Sequence, residues 1–266
     1  MTDFAEIKAR HQQTWGAGDY SVIATALYPT AEVLCEDVNF SAGQRVLDVA
    51  CGSGNVSLAA ARRGAVVTGI DFVPALLERA RERAAAEWLE IELREADAEA
   101  LPFADASFDV VLSAFGVMYA PDQERAAEEL LRVCRPGGVI GLANWPPNSA
   151  ATEMSDIVAR YVPGVEDPRS PAEWGTASRL RDLFGRRVRS LRLRDRVLLW
   201  RDVSADRFVE TYRSHLGPMN RAFAQLDHQQ TDALARDLSA VAHRHNRATD
   251  GTIATAFTYV TVVITT

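Results

Sequence analysis

The sequence predicts an α/β protein built on a doubly wound, mainly parallel sheet, and three observations carry that expectation. The first is a β-α-β unit. Residues 46–49 (Val-Leu-Asp-Val) are a short apolar run of strand type, Gly52 and Gly54 make a tight turn, and residues 55–63 have helical composition. Gly64 stops that helix, and a second strand at 66–70 ends at Asp71. The second observation is that strand-like and helix-like stretches go on alternating after this unit, as a parallel sheet with crossover helices requires. The third is size: 266 residues, 47% of them hydrophobic, can bury the core of one large α/β domain or of a domain plus a cap.

The chemistry of the first unit follows from its residue types. Gly52 and Gly54 let a ligand approach the backbone, and the helix start beyond them offers free N–H groups. Asp71 ends the second strand, where a carboxylate accepts hydrogen bonds from ribose hydroxyls. The dinucleotide fingerprint is incomplete, because Ala50 stands in place of its first glycine and Ser57 in place of its third. That argues against a pyrophosphate cofactor and against a nicotinamide oxidoreductase. Asp48, at the end of the first strand, is a poor neighbour for a phosphate and a good one for an ammonium group or an amino acid moiety.

Here the chain resembles the class I S-adenosylmethionine-dependent methyltransferases, and in particular the ubiquinone/menaquinone methyltransferase-like group. VLDVACGSGN matches the first motif of that family, an acidic residue, a variable pair and Gly-x-Gly, at Asp48, Gly52 and Gly54, with Ala50 replacing the commoner glycine. LPF at 101–103 with SFDVVLS at 107–113 resembles the second motif, and LLRVCRPGGVIGLANW at 130–145 the third. The resemblance implies a Rossmann-like, doubly wound seven-stranded sheet with an antiparallel last strand and a helical cap. It implies S-adenosyl-L-methionine as cofactor and S-adenosyl-L-homocysteine as product. Cofactor contacts are implied at Asp48, Ala50, Cys51, Gly52, Gly54 and Asn55 around the first turn, and at Asp71 and Phe72 after the second strand. Further contacts are implied at Asp97 and Ala98 beside the adenine amino group, at Ser113 and Phe115 after the fourth strand, and at Trp15 or Tyr20 near the methionine end.

The remaining elements read as follows. Residues 3–40 are helical, interrupted by a loop at 15–20, and a helix opens at Pro74 and runs to about Trp88. A third strand at 91–94 delivers Asp97 to the edge of the sheet that holds Gly52 and Asp71. Asp109 serves the start of the fourth strand, a helix covers 123–133, and the Pro-Gly-Gly turn feeds a fifth strand at 139–143. Asn144-Trp145-Pro146-Pro147 is a scrambled, displaced version of the Asn-Pro-Pro-aromatic signature of enzymes that methylate nucleic-acid bases, so base methylation is discounted. Beyond 148 come helices at 154–161 and 177–184, a proline-rich loop at 163–171 and a sixth strand at 188–200. Helices at 204–216, 220–226 and 229–245 then lead to a last strand at 252–264, rich in Thr, Val and Ile. The division expected is a helical lid (1–40), a cofactor core (41–145), and a cap and substrate region (146–266) whose last two strands complete the sheet. The cap is expected to roof the pocket and set acceptor specificity.

A formal charge of −7 argues against nucleic acid as partner, and the arginines between 179 and 201 read as alternating charges on a solvated edge strand. Cys35, Cys51 and Cys134 have no metal spacing, which leaves no metal site and suits a reducing cytoplasm. Residues 1–10 are charged and lack the apolar core of a secretory signal, and no apolar run is long enough to span a membrane. A cytoplasmic monomer or homodimer acting on a small molecule, apolar or aromatic, is expected. The reaction implied is an in-line displacement at a methyl group already activated by its sulfonium, so alignment and water exclusion matter most. His215, ending a helix before Gly217-Pro218, is the candidate base; His228, His243 and His245 are weaker. The alternatives are a cofactor-binding protein of the same fold that runs a non-methylating reaction such as a cyclisation, or a non-catalytic partner subunit.

Overall fold

Alternating β and α segments wind in this computed structural model into one mixed sheet; the structure describes residues 4–162 and 169–266. Most of the expected loop at 163–171, and the first three residues of the charged N-terminus, lie outside the described residues. Two helices open the chain, α1 (Phe4–Trp15) and α2 (Tyr20–Val38), the second capped by the Asp19 carboxylate, which accepts from the Ser21 N–H at 3.1 Å. The β-α-β unit follows as β1 (Arg45–Val49), α3 (Asn55–Arg62) and β2 (Val66–Asp71). Next come α4 (Pro74–Ala86), with proline in its first turn, then β3 (Ile91–Glu95), β4 (Phe108–Ala114), α5 (Gln123–Val133) and β5 (Cys134–Asn144). The C-terminal part holds α6 (Ala150–Tyr161), α7 (Ala177–Phe184), β6 (Ser190–Asp202), α8 (Ala205–His215), α9 (Gly217–Ala224), α10 (His228–Arg244) and β7 (Ile253–Thr265).

The strand order among the described residues is β3-β2-β1-β4-β5-β7-β6. The first five strands are parallel, and β7 runs antiparallel to both β5 and β6, as the resemblance implied. The order reverses between β1 and β4, which opens a crevice beyond the carboxyl ends of those strands. Central strands are continuous apolar runs because helices cover both faces: Val46, Leu47 and Val49 of β1 and Val111 and Leu112 of β4 are fully buried. Asp109 behaves as expected at the start of β4, accepting from the Arg45 N–H at 2.8 Å and from Arg135 Nε at 2.6 Å.

The arginine-rich stretch divides. Arg192, Arg194 and Arg196 lie on β6, which is an edge strand as expected. Arg179 belongs instead to α7 and is 7% exposed, its guanidinium bonded to Gln123 Oε1 at 3.0 Å and Glu124 Oε1 at 2.9 Å. α2 packs against α3, β5 and α8, while α10 packs against α6, α8 and β7, so the C-terminal helices brace the N-terminal ones. Among the described residues no helix is long and apolar enough to cross a membrane, and no cluster of three or more His, Cys, Asp or Glu side chains is set to hold a metal. All three cysteines are buried and free.

Candidate functional site

A cleft of about 1080 Å³, its open mouth included, lies over the carboxyl ends of β1 to β4. Its floor is the loop after β1, its far walls are the ends of β2, β3 and β4, and α1 and α2 close it from above. Of the residues singled out in the sequence, Trp15, Tyr20, Asp48, Ala50, Cys51, Gly52, Asn55, Asp71, Phe72, Asp97, Ala98 and Phe115 line it.

Asp71 is buried, and both of its oxygens are engaged by backbone: Oδ2 accepts from the Gly52 N–H at 2.8 Å and Oδ1 from the Val73 N–H at 2.9 Å. Each oxygen keeps a lone pair for a further donor. Burial pushes the Asp71 carboxyl up to about 6, against the pull of those N–H groups. Asp48 is more isolated. Burial raises its carboxyl to about 7, opposed by the Ser57 hydroxyl, which donates to Oδ2 at 2.6 Å, and reinforced by the charge of Asp71. Ser57, at the place of the fingerprint's third glycine, therefore positions the strand-end carboxylate.

Two buried acceptors here lack a protein partner, Asp48 Oδ1 and Asn55 Oδ1, while Asn55 Nδ2 donates to the Ala24 carbonyl at 2.8 Å. Unpartnered buried oxygens cost free energy, and two in one cleft suit a ligand that brings N–H donors, such as an ammonium group. The nucleoside with an amino acid tail implied by the sequence thus fits: hydroxyl-accepting oxygens at Asp71 and ammonium-accepting oxygens at Asp48 and Asn55.

Two strained residues frame the floor. Ala50 and Phe115, at the ends of β1 and β4, have φ of 54° and 53°, in the left-handed region that side chains avoid. They are locked by close approach: a Cβ on Gly116 would lie 2.5 Å from the Ala50 carbonyl oxygen, so only glycine fits. Phe115 in turn stacks on the buried Trp145, with centroids 3.7 Å apart and planes at 5°.

Gly54, Ser113 and His215 stand outside the lining. Gly54 (φ 87°) starts α3, and a Cβ there would meet Ala80 at 3.1 Å, so this glycine seats α3 on α4. Ser113 is fully buried; its hydroxyl donates to the Val49 carbonyl at 2.7 Å and accepts from the Val117 N–H at 3.0 Å, tying β4 to β1. His215 ends α8 with its carbonyl pressed on Gly18, which puts it beside the loop between α1 and α2. His228 pairs with Asp232 at 3.2 Å and His245 with Glu153 at 2.8 Å, both away from the cleft.

Sequence reasoning missed the residues that α1 and the middle of α2 bring in. Lys8 and His11 line the cleft with Trp15, at helical spacing on one face of α1, and Ala24, Leu27 and Thr30 line it from α2. The Lys8 ammonium lies 2.6 Å from Asp97 Oδ2 and also pairs with Glu99. Burial lowers the Lys8 value, but the bonds to Asp97 and Glu99 outweigh it and leave it raised. The signal available in sequence was the Lys8–His11–Trp15 spacing itself. Among the described residues the cleft draws no lining residue from beyond Pro121; the C-terminal helices α8 and α9 pack on α2 and α1 without lining it.

A buried carboxylate ending β2, a glycine turn after β1 and a reversed strand order with an antiparallel β7 make up the frame of this fold. Residues 47–142 match the family described as Methyltransferase domain. The uncharacterized protein Rv1405c of Mycobacterium tuberculosis is 39% identical over 246 residues, covering 88% of this chain and 90% of its own length. The demethylmenaquinone methyltransferase of Thermus thermophilus is 46% identical over 108 residues, 40% of this chain and 49% of that protein. Among solved structures, the YcgJ protein of Bacillus subtilis superposes with a TM-score of 0.60 at 17% identity, covering 88% of this chain and 97% of that one, a likeness of fold. The chain belongs to the class I S-adenosylmethionine-dependent methyltransferases, and its cofactor is S-adenosylmethionine.

Proposed function

We propose that this methyltransferase acts on a small, uncharged, largely apolar or aromatic acceptor. The observation that carries this reading is the character of the cleft wall. Trp15, Tyr20, Phe115 and Tyr119 line it, and its one Lys or Arg among the described lining residues, Lys8, is clamped by Asp97 and Glu99. A nucleic-acid phosphate would meet Asp48, Asp71, Asp97 and Glu99 with no opposing basic patch. The Thermus thermophilus relative, by its name a demethylmenaquinone methyltransferase, supports an apolar acceptor of this kind.

In this reading Asp71 holds the ribose hydroxyls, Asp48 and Asn55 the ammonium, and the backbone of Ala50, Cys51 and Gly52 the length of the amino acid tail. Phe72 flanks the adenine, and Asp97 with Ala98 meets its amino edge. Residues 1–40 are the lid, 41–145 the cofactor core and 146–266 the supporting cap; the protein works in the cytoplasm as a monomer or homodimer. The cofactor supplies an activated methyl group; the chain holds both partners in line and keeps water out. His215 is not carried forward as a base, because it lies outside the cleft. Incubation with methyl-labelled S-adenosylmethionine and a panel of phenols, quinols, amines and oligonucleotides tests the proposal. Label in an aromatic small molecule is the expected result; label only in oligonucleotides would overturn it.

A further inference from the structure

We propose that the free edge of β6 pairs with β6 of a second copy of this chain, antiparallel about a two-fold axis at Leu198, so that two sheets join into one. The inference selects the homodimer from the two states named above and is independent of the acceptor. β6 is the outermost strand, 13 residues long, and among the described residues another strand lies on one side of it only. Its opposite edge presents a row of backbone N–H and C=O groups with no strand beside them. Devices that ordinarily blunt such an edge are missing. The strand contains no proline, and its register with β7 runs from Ser190 to Asp202 without a bulge. Of the five large apolar side chains exposed among the described residues, two, Val197 (45%) and Val203 (71%), lie on this strand or directly after it.

The charges on the strand choose the occupant. Directly opposed residues of an antiparallel pair share one face of the sheet, and opposite charges there attract while like charges repel. With the axis at Leu198, Arg194 faces Asp202 of the second copy, Asp195 faces Arg201, Arg196 faces Trp200 and Val197 faces Leu199. Just past the strand end, Leu193 comes opposite Val203. Neighbouring registers lose this match. An axis at Val197 sets Asp195 against Leu199 and Arg201 against Leu193, and one at Leu199 sets Asp195 against Val203 and Arg201 against Val197. An axis at Asp195 stacks that carboxylate on its own copy and Arg194 on Arg196. Within one protomer Asp195 is exposed, lies across from Val260 on β7 and forms no ion pair among the described residues. Arg194 stays 58% exposed even while it reaches Asp37. A strand whose charges complement its own reversed copy meets the requirement of an isologous contact, which a foreign peptide would not impose. The axis also reverses strand direction, so the two clefts open toward opposite ends of the joined sheet, each separated from the contact by β5 and β7.

Sedimentation velocity of the full chain over a concentration series, at low salt, reads the dissociation constant of the dimer. Asp195→Arg sets arginine against Arg201 at both symmetry-related positions and should raise that constant by about tenfold or more. Arg201→Glu sets carboxylate against carboxylate and should do the same. The double variant carrying both exchanges restores the pairs with their signs reversed, and its constant should return to within about threefold of wild type. All three variants should bind S-adenosylmethionine as wild type does in calorimetric titration, since both residues lie outside the cleft, and that binding shows each one folded. A further measurement needs no variant: raising salt from about 0.05 to 0.5 M should weaken the wild-type dimer several-fold. A wild-type protein that stays monomeric at every concentration overturns the inference. So does a dimer that neither single exchange weakens, one that salt tightens, or one that the double exchange fails to restore.

Discussion

At the scale of single residues, the two strand-end carboxylates oppose stability and function. Asp48 is fully enclosed and its carboxyl rises from 3.8 to about 7, chiefly through burial. A carboxyl that holds its proton more tightly when folded favours the fold most below 3.8, and that contribution is lost as pH climbs through about 7. Asp48→Asn keeps the size and an acceptor for Ser57 but cannot ionise. Urea unfolding of the apoprotein should therefore show the variant more stable at pH 8 by on the order of 2–4 kcal/mol, with the two proteins converging near pH 4. Titration of S-adenosylmethionine should move the other way, with the variant binding more weakly and losing the rise in affinity that wild type shows between about pH 5 and 7.5. Both carboxylates were legible in the sequence, because a polar residue ending an apolar strand has few reasons to be there. Lys8 was not: its partner Asp97 is 89 residues away, and only the docking of a helix on a sheet brings them together.

At the scale of elements, α1 lines the site while burying little apolar surface of its own. It fully buries one apolar side chain, Ile7, packs Trp15 against the rings of Tyr20 and Tyr119, and makes polar links: Lys8 to Asp97 and Glu99, Gln12 Nε2 to the Phe72 carbonyl at 2.5 Å, and Arg221 to the Thr14 hydroxyl at 3.3 Å. Partly exposed ion pairs contribute about 0.2–1 kcal/mol each, so losing the lysine leaves the global fold intact while loosening the helix. Lys8→Met should speed hydrogen exchange across residues 5–15 and raise the dissociation rate of S-adenosylmethionine several-fold in stopped-flow fluorescence, with little change in unfolding midpoint. Equal exchange in both proteins would show that the clasp does not hold the lid. The elements themselves were mostly legible, since glycine turns, Pro74 and the Pro-Gly-Gly motif punctuate the chain. The start of β5 was not: Cys134 pairs with Phe108 before the Pro-Gly-Gly turn, so the strand begins several residues ahead of its apolar run.

At the scale of the whole molecule, the sheet's far edge has to be tied to α2, because β6 and β7 form a long ribbon whose outer strand has no further strand partner among the described residues. Asp37 near the end of α2 makes that tie. Its side chain is 5% exposed and accepts from Arg194 at 2.8 Å and Arg196 at 2.6 Å on β6, and from the Thr261 hydroxyl at 2.6 Å on β7. Burial works to raise the Asp37 carboxyl, but Arg196, Thr261 and Arg194 outweigh it and hold it below 3.8. The stabilisation is thus complete above 3.8 and lost as pH falls below that value. The sequence showed the arginines but not their target, since an acidic residue on an amphipathic helix reads as solvent-facing until β6 arrives beside it, more than 150 residues later. Removing the carboxylate in Asp37→Ala leaves two guanidinium groups and a buried hydroxyl without their shared acceptor, a loss of about 1–3 kcal/mol in unfolding free energy at pH 7. The deficit should shrink toward pH 3, where wild type also loses the charge. Because α2 carries Tyr20 at its other end, the variant should still bind S-adenosylmethionine at saturation, but over a narrower range of denaturant. A variant as stable as wild type at pH 7 would mean that the ribbon is held by its pairing with β5 alone.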